Sequence, residues 1–132
     1  MQDRFRFRCW CVNKNQWETG KVYLDNEGRI YDDFHRVKEE THIIQQCTGL
    51  KDKNGKLIYE GDIIEWKKEK HLVFFNEQNA TFGFKTKDNE IHLFNQINTP
   101  TRWIEIIGNI YENKDLLVEE KNFKFMLSLT EK

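Results

Sequence analysis

The 132-residue chain carries its chemistry-bearing side chains in a few short strings, and each admits a definite reading. Tyr59-Glu60-Gly61-Asp62 sets two carboxylates one glycine apart. General acid–base work needs facing carboxyls whose pKa values are driven apart by burial or a shared charge. Carboxylates this close around a glycine read instead as a bend, with Gly61 supplying positive φ or close backbone approach and Asp62 an Asx-type turn. Cys9-Trp10-Cys11 is a C-x-C pair, and in a strand that spacing puts both thiols on one face. A zinc site would need two further ligands, for which Cys47 with His42 or His35 are the candidates, but no second C-x-C or C-x-x-C supplies them. The expected state is three free thiols in a reducing compartment, without metal or cofactor. His35, His42, His71 and His92 have no H-x-H or H-E-x-x-H spacing, and Ser128 is the single serine. Cys9 and Cys11 lie in a strand pattern, with no helix N-terminus to activate a thiolate. Gly49 to Gly55 has the wrong gap for a phosphate-binding loop, and Leu57 follows Lys56 where Ser or Thr is required. The chain is therefore expected not to be an enzyme.

Two basic strings and three tryptophans point to binding. Arg4, Arg6 and Arg8 alternate along one strand face, and Lys67, Lys68 and Lys70 form a second cluster. Such groups can meet phosphates on a small barrel, or they are solvated charges that blunt sheet edges. With 21 basic and 22 acidic residues the formal charge is −1, so nucleic-acid contact would have to rest on local asymmetry, and the solvated reading is preferred. Trp10, Trp17 and Trp103 are candidate interface anchors if exposed, whereas Trp66 is expected in the core.

The elements that must position these residues are short. Mean hydropathy is −0.82, no apolar run approaches the ~20 residues of a membrane span, and Met1 to Arg6 lacks the apolar region of a secretory signal. Aromatic residues are 14% of the chain, too many for a disordered one. Arg4 to Cys9 alternates with period two, with Phe5, Phe7, Cys9 and Cys11 on one side and Arg4, Arg6, Arg8 and Trp10 on the other. Val22–Leu24 and Arg29–Tyr31 flank the turn Asp25-Asn26-Glu27-Gly28, so residues 4–31 read as a meander. Thr41 to Thr48 reads as a strand, and Thr48 to Lys56 as a turn-rich stretch in which Asn54-Gly55 is a strong turn dipeptide. Apolar runs at Ile58–Trp66, Leu72–Phe75, Thr81–Phe84, Ile91–Phe94 and Trp103–Ile107 imply a small barrel or sandwich. Five strands of this size suit an SH3-like barrel. Beyond Asn113 an amphipathic helical pattern carries Leu116, Phe123 and Leu127. The expected organisation is mainly β, with an N-terminal β-meander region over 1–57 packed on an SH3-like barrel over 58–112, and a C-terminal helical tail over 113–132.

Three strings are more particular than any short motif. Thr48-Gly49-Leu50-Lys51-Asp52-Lys53-Asn54-Gly55-Lys56 runs into Ile58-Tyr59-Glu60-Gly61-Asp62-Ile63, and Ile107-Gly108-Asn109-Ile110-Tyr111-Glu112-Asn113 follows later. With the N-terminal Phe5 to Trp10, they resemble the YopX family of phage and prophage proteins of low-GC Gram-positive bacteria, over roughly Arg4 to Leu117. Cys9 and Cys11 around Trp10, and the length beyond Leu117, depart from the family's pattern. The resemblance implies a β-rich, self-associating accessory protein of the host bacterial cytoplasm, with no membrane contact and a host or phage protein as the possible further partner. It implies no catalytic or cofactor residue. Thr48, Gly49, Leu50, Asp52, Asn54, Gly55, Tyr59, Glu60, Gly61, Asp62, Gly108, Asn109, Tyr111, Glu112 and Asn113 are expected to be structural.

Overall fold

A computed structural model of the chain describes residues 3–32, 35–97 and 101–117. It is mainly β. A four-stranded antiparallel sheet is built from β1 (Phe7–Cys11), β2 (Gln16–Trp17), β5 (His42–Lys51) and β6 (Leu57–Tyr59), in the order β2-β1-β5-β6. A five-stranded antiparallel half-barrel follows from β7 (Asp62–Trp66), β8 (Glu69–Asn76), β9 (Thr81–Lys85), β10 (Ile91–Leu93) and β11 (Glu105–Asn109), in the order β10-β9-β8-β7-β11. A small hairpin of β3 (Tyr23–Leu24) and β4 (Ile30–Tyr31) stands apart. The strand that opens the second sequence segment, β6, hydrogen-bonds to β5 of the first sheet. The helical tail expected over 113–132 lies outside the described residues beyond Leu117, and Lys114–Leu117 form a 3-10 turn.

Period-two alternation explains why β7 and β8 sit at the centre. Ile64, Trp66 and Val73 point into one core with Ile58, Phe84 and Ile104. Their neighbours Ile63 and Leu72 point the other way, to Ile110 and Leu117. A strand buried on both faces must read as a nearly unbroken apolar run. Trp66 is thus in the core, as expected. The two-residue turn joining β7 to β8 is Lys67-Lys68, both at positive φ (52° and 63°). That is the twist-matched hairpin geometry in which Asn-Gly is the usual choice.

Four local expectations change. The first strand starts at Phe7, because Asp3–Phe5 form a 3-10 turn and Phe5 is 60% exposed. Cys9, Trp10 and Cys11 are all buried, so β1 is covered on both faces and alternation misassigns Trp10. Strand β5 does not stop at Thr48. It bulges between Cys47 and Lys51, with Gly49 at φ +82°, and continues to pair with β6. A bulge adds a residue without ending the strand, which a turn-like composition conceals. Trp103 lies in the 3-10 turn Thr101–Trp103, ahead of β11, which runs on through Gly108 and Asn109. Lys85 at the end of β9 is 1% exposed, with its ammonium 3.7 Å from the centre of the Phe74 ring. Burial brings its pKa down to about 8.

The loop from Asp52 to Lys56 covers the free edge of β11. Asp52 is buried, and its Oδ1 accepts from the amides of Asn54 and Lys56, both at 2.9 Å. Its Oδ2 accepts from the Ile106 amide at 3.0 Å. The Lys53 amide donates to the Ile104 carbonyl at 2.9 Å. The start of that edge is thereby covered by the loop. Asp52→Ala would leave these amides without their acceptor. We expect a loss of about 2 kcal/mol in urea denaturation, with Asp52→Asn closer to wild type, because an orphaned buried donor costs about 1–3 kcal/mol.

Candidate functional site

The family-like strings converge where the two sheets meet. Cross-strand register sets Arg8 beside Gln45 of β5, and Arg8 Nε donates to Gln45 Oε1 at 3.0 Å. Its Nη2 reaches the bend between β6 and β7, donating to Asp62 Oδ1 at 2.8 Å and to the Glu60 carbonyl at 3.4 Å. The guanidinium lies 4.4 Å from the Trp17 ring centre and 4.8 Å from that of Tyr59. Asp62 Oδ2 accepts from the Tyr59 amide at 2.8 Å. Burial raises the Asp62 carboxyl above its ordinary range, and the Arg8 charge and these hydrogen bonds pull it back. Gly61 stands at φ +84° against the Gln45 side-chain amide, which a Cβ there would overlap. Glu60 Oε1 accepts from the Gln46 amide at 2.9 Å. The two carboxylates of the bend are therefore structural acceptors on different elements. They do not form a facing acid–base pair.

The second string completes the junction from the other side. Asn109 Oδ1 accepts from the amides of Tyr111 and Glu112 at 3.0 and 2.9 Å, an Asx-type turn. Asn113 Oδ1 accepts from the Asn109 amide at 3.1 Å. Glu112 Oε1 accepts from Asn109 Nδ2 at 2.9 Å and from Trp17 Nε1 at 2.6 Å. Those bonds hold the Glu112 carboxyl below its usual range. Tyr111 stacks on Trp10 with ring centres 5.1 Å apart, and Trp17 meets Trp10 edge-on at 5.0 Å. Arg8, Trp10 and Trp17 from the N-terminal sheet thus interlock with Tyr59–Asp62 and Asn109–Asn113. Thr48 belongs to the same scheme at the bulge, where its hydroxyl donates to the Ile58 carbonyl at 2.8 Å and accepts from the Leu50 amide at 3.1 Å. A groove of about 670 Å³ runs along the junction, lined by Arg8, Tyr59, Asp62, Asn109 and Asn113 among others.

The binding candidates separate. Arg4 and Arg6 are exposed, Arg6 facing Asp3 at 3.9 Å. Arg8 is drawn into the junction, so the three arginines do not form one open stripe. Lys67, Lys68 and Lys70 are exposed around the β7–β8 turn, with Lys67 Nζ 4.4 Å from the Trp66 ring centre. Among the tryptophans, Trp10 is buried, Trp17 half-buried and Trp103 65% exposed. The thiols of Cys9, Cys11 and Cys47 are buried and free. Burial, and after it the charge of Glu18, pushes Cys9 up to about 11. Cys11, Glu18 and His42 come together from three strands or their ends, with one potential ligand atom of each lying within 4.8 Å of the others. Sequence spacing offers Cys11 and His42 among possible ligands but misses Glu18. Cys11 and His42 are register partners across β1 and β5, and Glu18 follows β2, so their proximity is a product of pairing. Sequence spacing likewise gives no sign that His71 is a core residue. It packs edge-on against Trp66 and Phe84, and burial lowers it to about 4.

Fold and junction define a mainly β protein whose two antiparallel sheets are locked by a buried arginine–aspartate pair and an asparagine-built turn. The YopX protein family matches over residues 6–118, and the chain belongs to that family. The crystal structure of protein EF1440 from Enterococcus faecalis is similar, with 25% sequence identity and a TM-score of 0.59. The match covers 86% of this chain and 97% of that one. No curated protein matches. Among the described residues, no helix is long and apolar enough to cross a membrane.

Proposed function

We propose that the chain is a non-enzymatic, phage-encoded accessory protein that acts in the host bacterial cytoplasm through protein contact, first of all with a second copy of itself. On this reading the half-barrel is SH3-like. The observation that carries the proposal is an apolar groove of about 690 Å³ whose lining includes Val12, Leu24, Ile30, Ile43, Ile44, Phe75 and Tyr111. Val12, Leu24 and the adjoining Tyr23 are exposed large hydrophobics, a grouping that on a folded surface marks an interaction site. Glu39 and Glu40, both exposed, also line it. The surface that suits such a groove is present on the chain itself, as exposed Trp103 beside exposed Arg102. An aromatic anchor flanked by a cation complements an apolar slot flanked by carboxylates. The contact would join unlike surfaces, so association is head-to-tail.

The carboxylates of the junction support the non-enzymatic part, because each already accepts hydrogen bonds that hold the sheets together. Nucleic-acid binding, the alternative, loses Arg8 to Asp62 and rests on Arg4, Arg6 and the exposed lysines. Sedimentation velocity over a range of concentrations tests the proposal. Wild type is expected to self-associate. Trp103→Ala is expected to weaken association roughly 30-fold, the effect of losing an anchor worth about 2 kcal/mol. Ile44→Asp in the groove should do the same. A strict monomer at every concentration, or association indifferent to both substitutions, overturns the reading.

A further inference from the structure

We propose that Cys11, Glu18 and His42 form a zinc site. Register makes Cys11 and His42 direct cross-strand partners, which puts their side chains on one face of the sheet. The Glu18 amide donates to the Cys9 carbonyl at 2.8 Å, continuing the β2–β1 pairing and bringing Glu18 onto that face. Cys11 Sγ, a Glu18 carboxylate oxygen and a His42 ring nitrogen then lie within 4.8 Å of one another. Cys11 is buried, and the other two side chains are each 14% exposed. Thiolate, carboxylate and imidazole on three separate elements are the donor types zinc selects, and three protein ligands with an open fourth position are a common arrangement for it.

The hydrogen bonds behind His42 set its ring as a ligand requires. The Thr41 hydroxyl donates its single proton to the Lys38 carbonyl at 3.0 Å. Its oxygen is 2.8 Å from His42 Nδ1, and with its proton on the carbonyl it can accept from a protonated Nδ1. The lone pair of a neutral His42 ring is then on Nε2, which faces Glu18 Oε2 at 3.6 Å. That distance is too long for a direct hydrogen bond. The imidazole nitrogen, the carboxylate oxygen and the thiol sulfur lie within 4.8 Å of one another, a spacing that a cation between them satisfies. A hydrogen-bonding partner that fixes the tautomer is the usual companion of a histidine ligand. The 2+ charge of zinc would be balanced by one thiolate and one carboxylate. That neutral complex is compatible with the Lys14, Lys21, Arg36 and Lys38 side chains around the same cavity. Lys14, 3.9 Å from Glu18 Oε1 and largely exposed, is the local competitor for the carboxylate. The cavity, about 630 Å³ and also lined by Asp32 and His35, gives the metal an entry path and the fourth position room for water or a further side chain.

The test uses the full chain, stripped with a chelator under reducing conditions and titrated with cobalt and then with zinc against a chromophoric competitor. One equivalent of cobalt should bind with tetrahedral d–d bands and a thiolate-to-cobalt charge-transfer band, and zinc should displace it. Cys11→Ser should abolish the charge-transfer band, whereas Cys47→Ser, at a thiol outside the trio, should retain it. Thr41→Val should weaken zinc roughly 10–100-fold, the usual effect of losing the group that orients a histidine ligand. Absence of a thiolate band in the wild-type protein overturns the proposal whatever the variants do. So does a band that persists in a folded Cys11→Ser protein, as judged by circular dichroism. If Cys11→Ser fails to fold, His42→Gln takes its place, and undiminished zinc affinity in that variant is equally fatal.

Discussion

Replacing Arg8 with alanine is expected to destabilise the protein by roughly 3 kcal/mol and to do so in a pH-dependent way. The pair it breaks joins the two sheets at 2.8 Å, with the Asp62 side chain 3% and the Arg8 side chain 23% exposed. Removing one member of a buried pair costs about 3–5 kcal/mol, because the remaining charge stays desolvated. The partial exposure of Arg8 places the expectation at the lower end of that range. The variant also loses the hydrogen bonds to Gln45 and the Glu60 carbonyl and the stacking between Trp17 and Tyr59. Asp62 can escape by taking up a proton. Its carboxyl already lies above the ordinary 3.8 in the intact protein, and loss of the Arg8 charge raises it further. A carboxyl raised in the folded state keeps a proton that the unfolded chain has released. Its contribution to stability therefore falls as pH rises through the window above 3.8 and is recovered on acidification. Urea denaturation of Arg8→Ala should show its largest deficit near about pH 7 and a smaller one near about pH 4.5. Arg8→Met with Asp62→Asn should regain much of the loss, since no buried charge is left and the asparagine oxygen can still accept from the Tyr59 amide. A deficit under about 1 kcal/mol, no more than one ordinary hydrogen bond, would show that the pair does not hold the junction. A deficit that grows in acid would show that Asp62 is not the group left exposed to the loss.

How far the sequence reveals this arrangement depends on how local the cause is. The apolar runs of β7 to β10 alternate with turns, and nearest-neighbour hairpin pairing is a consequence of short loops, so that meander is legible in the residue pattern itself, whereas the pairing of β11 with β7 is not. Leu24 and Ile30 pair across the Asp25–Gly28 turn for the same reason. The four-stranded sheet is less legible because its central pairing joins β1 to β5, with thirty residues between them. The double burial of β1 follows from that pairing and from Tyr111 arriving to cover Trp10, so a period-two pattern in Arg4 to Cys9 could not reveal it. The motifs Tyr59–Asp62 and Ile107–Asn113 are recognisable as turn chemistry in isolation. That they interlock with Arg8 and Trp17 is a tertiary fact with no local signal. The Cys11–Glu18–His42 trio is hidden in the same way. Its C-x-C spacing draws the eye to Cys9, whereas the strand partner of Cys11 supplies the histidine.

Gly61 tests whether the motif glycine serves backbone conformation alone or also the close approach of the sheets. Gly55 provides the comparison, because the two share nearly the same backbone, φ +84° and φ +79°, and differ in surroundings. A Cβ on Gly55 meets nothing within 4 Å, whereas one on Gly61 would overlap the Gln45 side-chain amide. Gly55→Ala should therefore cost only the left-handed penalty, about 1–2 kcal/mol. Gly61→Ala adds the displacement of Gln45, about 1–3 kcal/mol on the scale of overpacked interiors, for a total of roughly 2–5 kcal/mol. Gln45 cannot retreat freely. It is 3% exposed, and its Oε1 accepts from Arg8 Nε, so shifting it strains the same junction that holds Asp62. The two contributions separate in a cycle with Gln45→Ala, which removes the obstructing amide. In that background Gly61→Ala should fall to the value measured for Gly55→Ala. If Gly61→Ala costs no more than Gly55→Ala in the wild-type background, the bend is a simple turn and the contact with Gln45 is incidental. If the excess survives Gln45→Ala, the obstruction lies in the backbone of β5 or β8, whose Val73 carbonyl accepts from the Gly61 amide at 2.8 Å. The glycine would then be required by the spacing of the strands themselves.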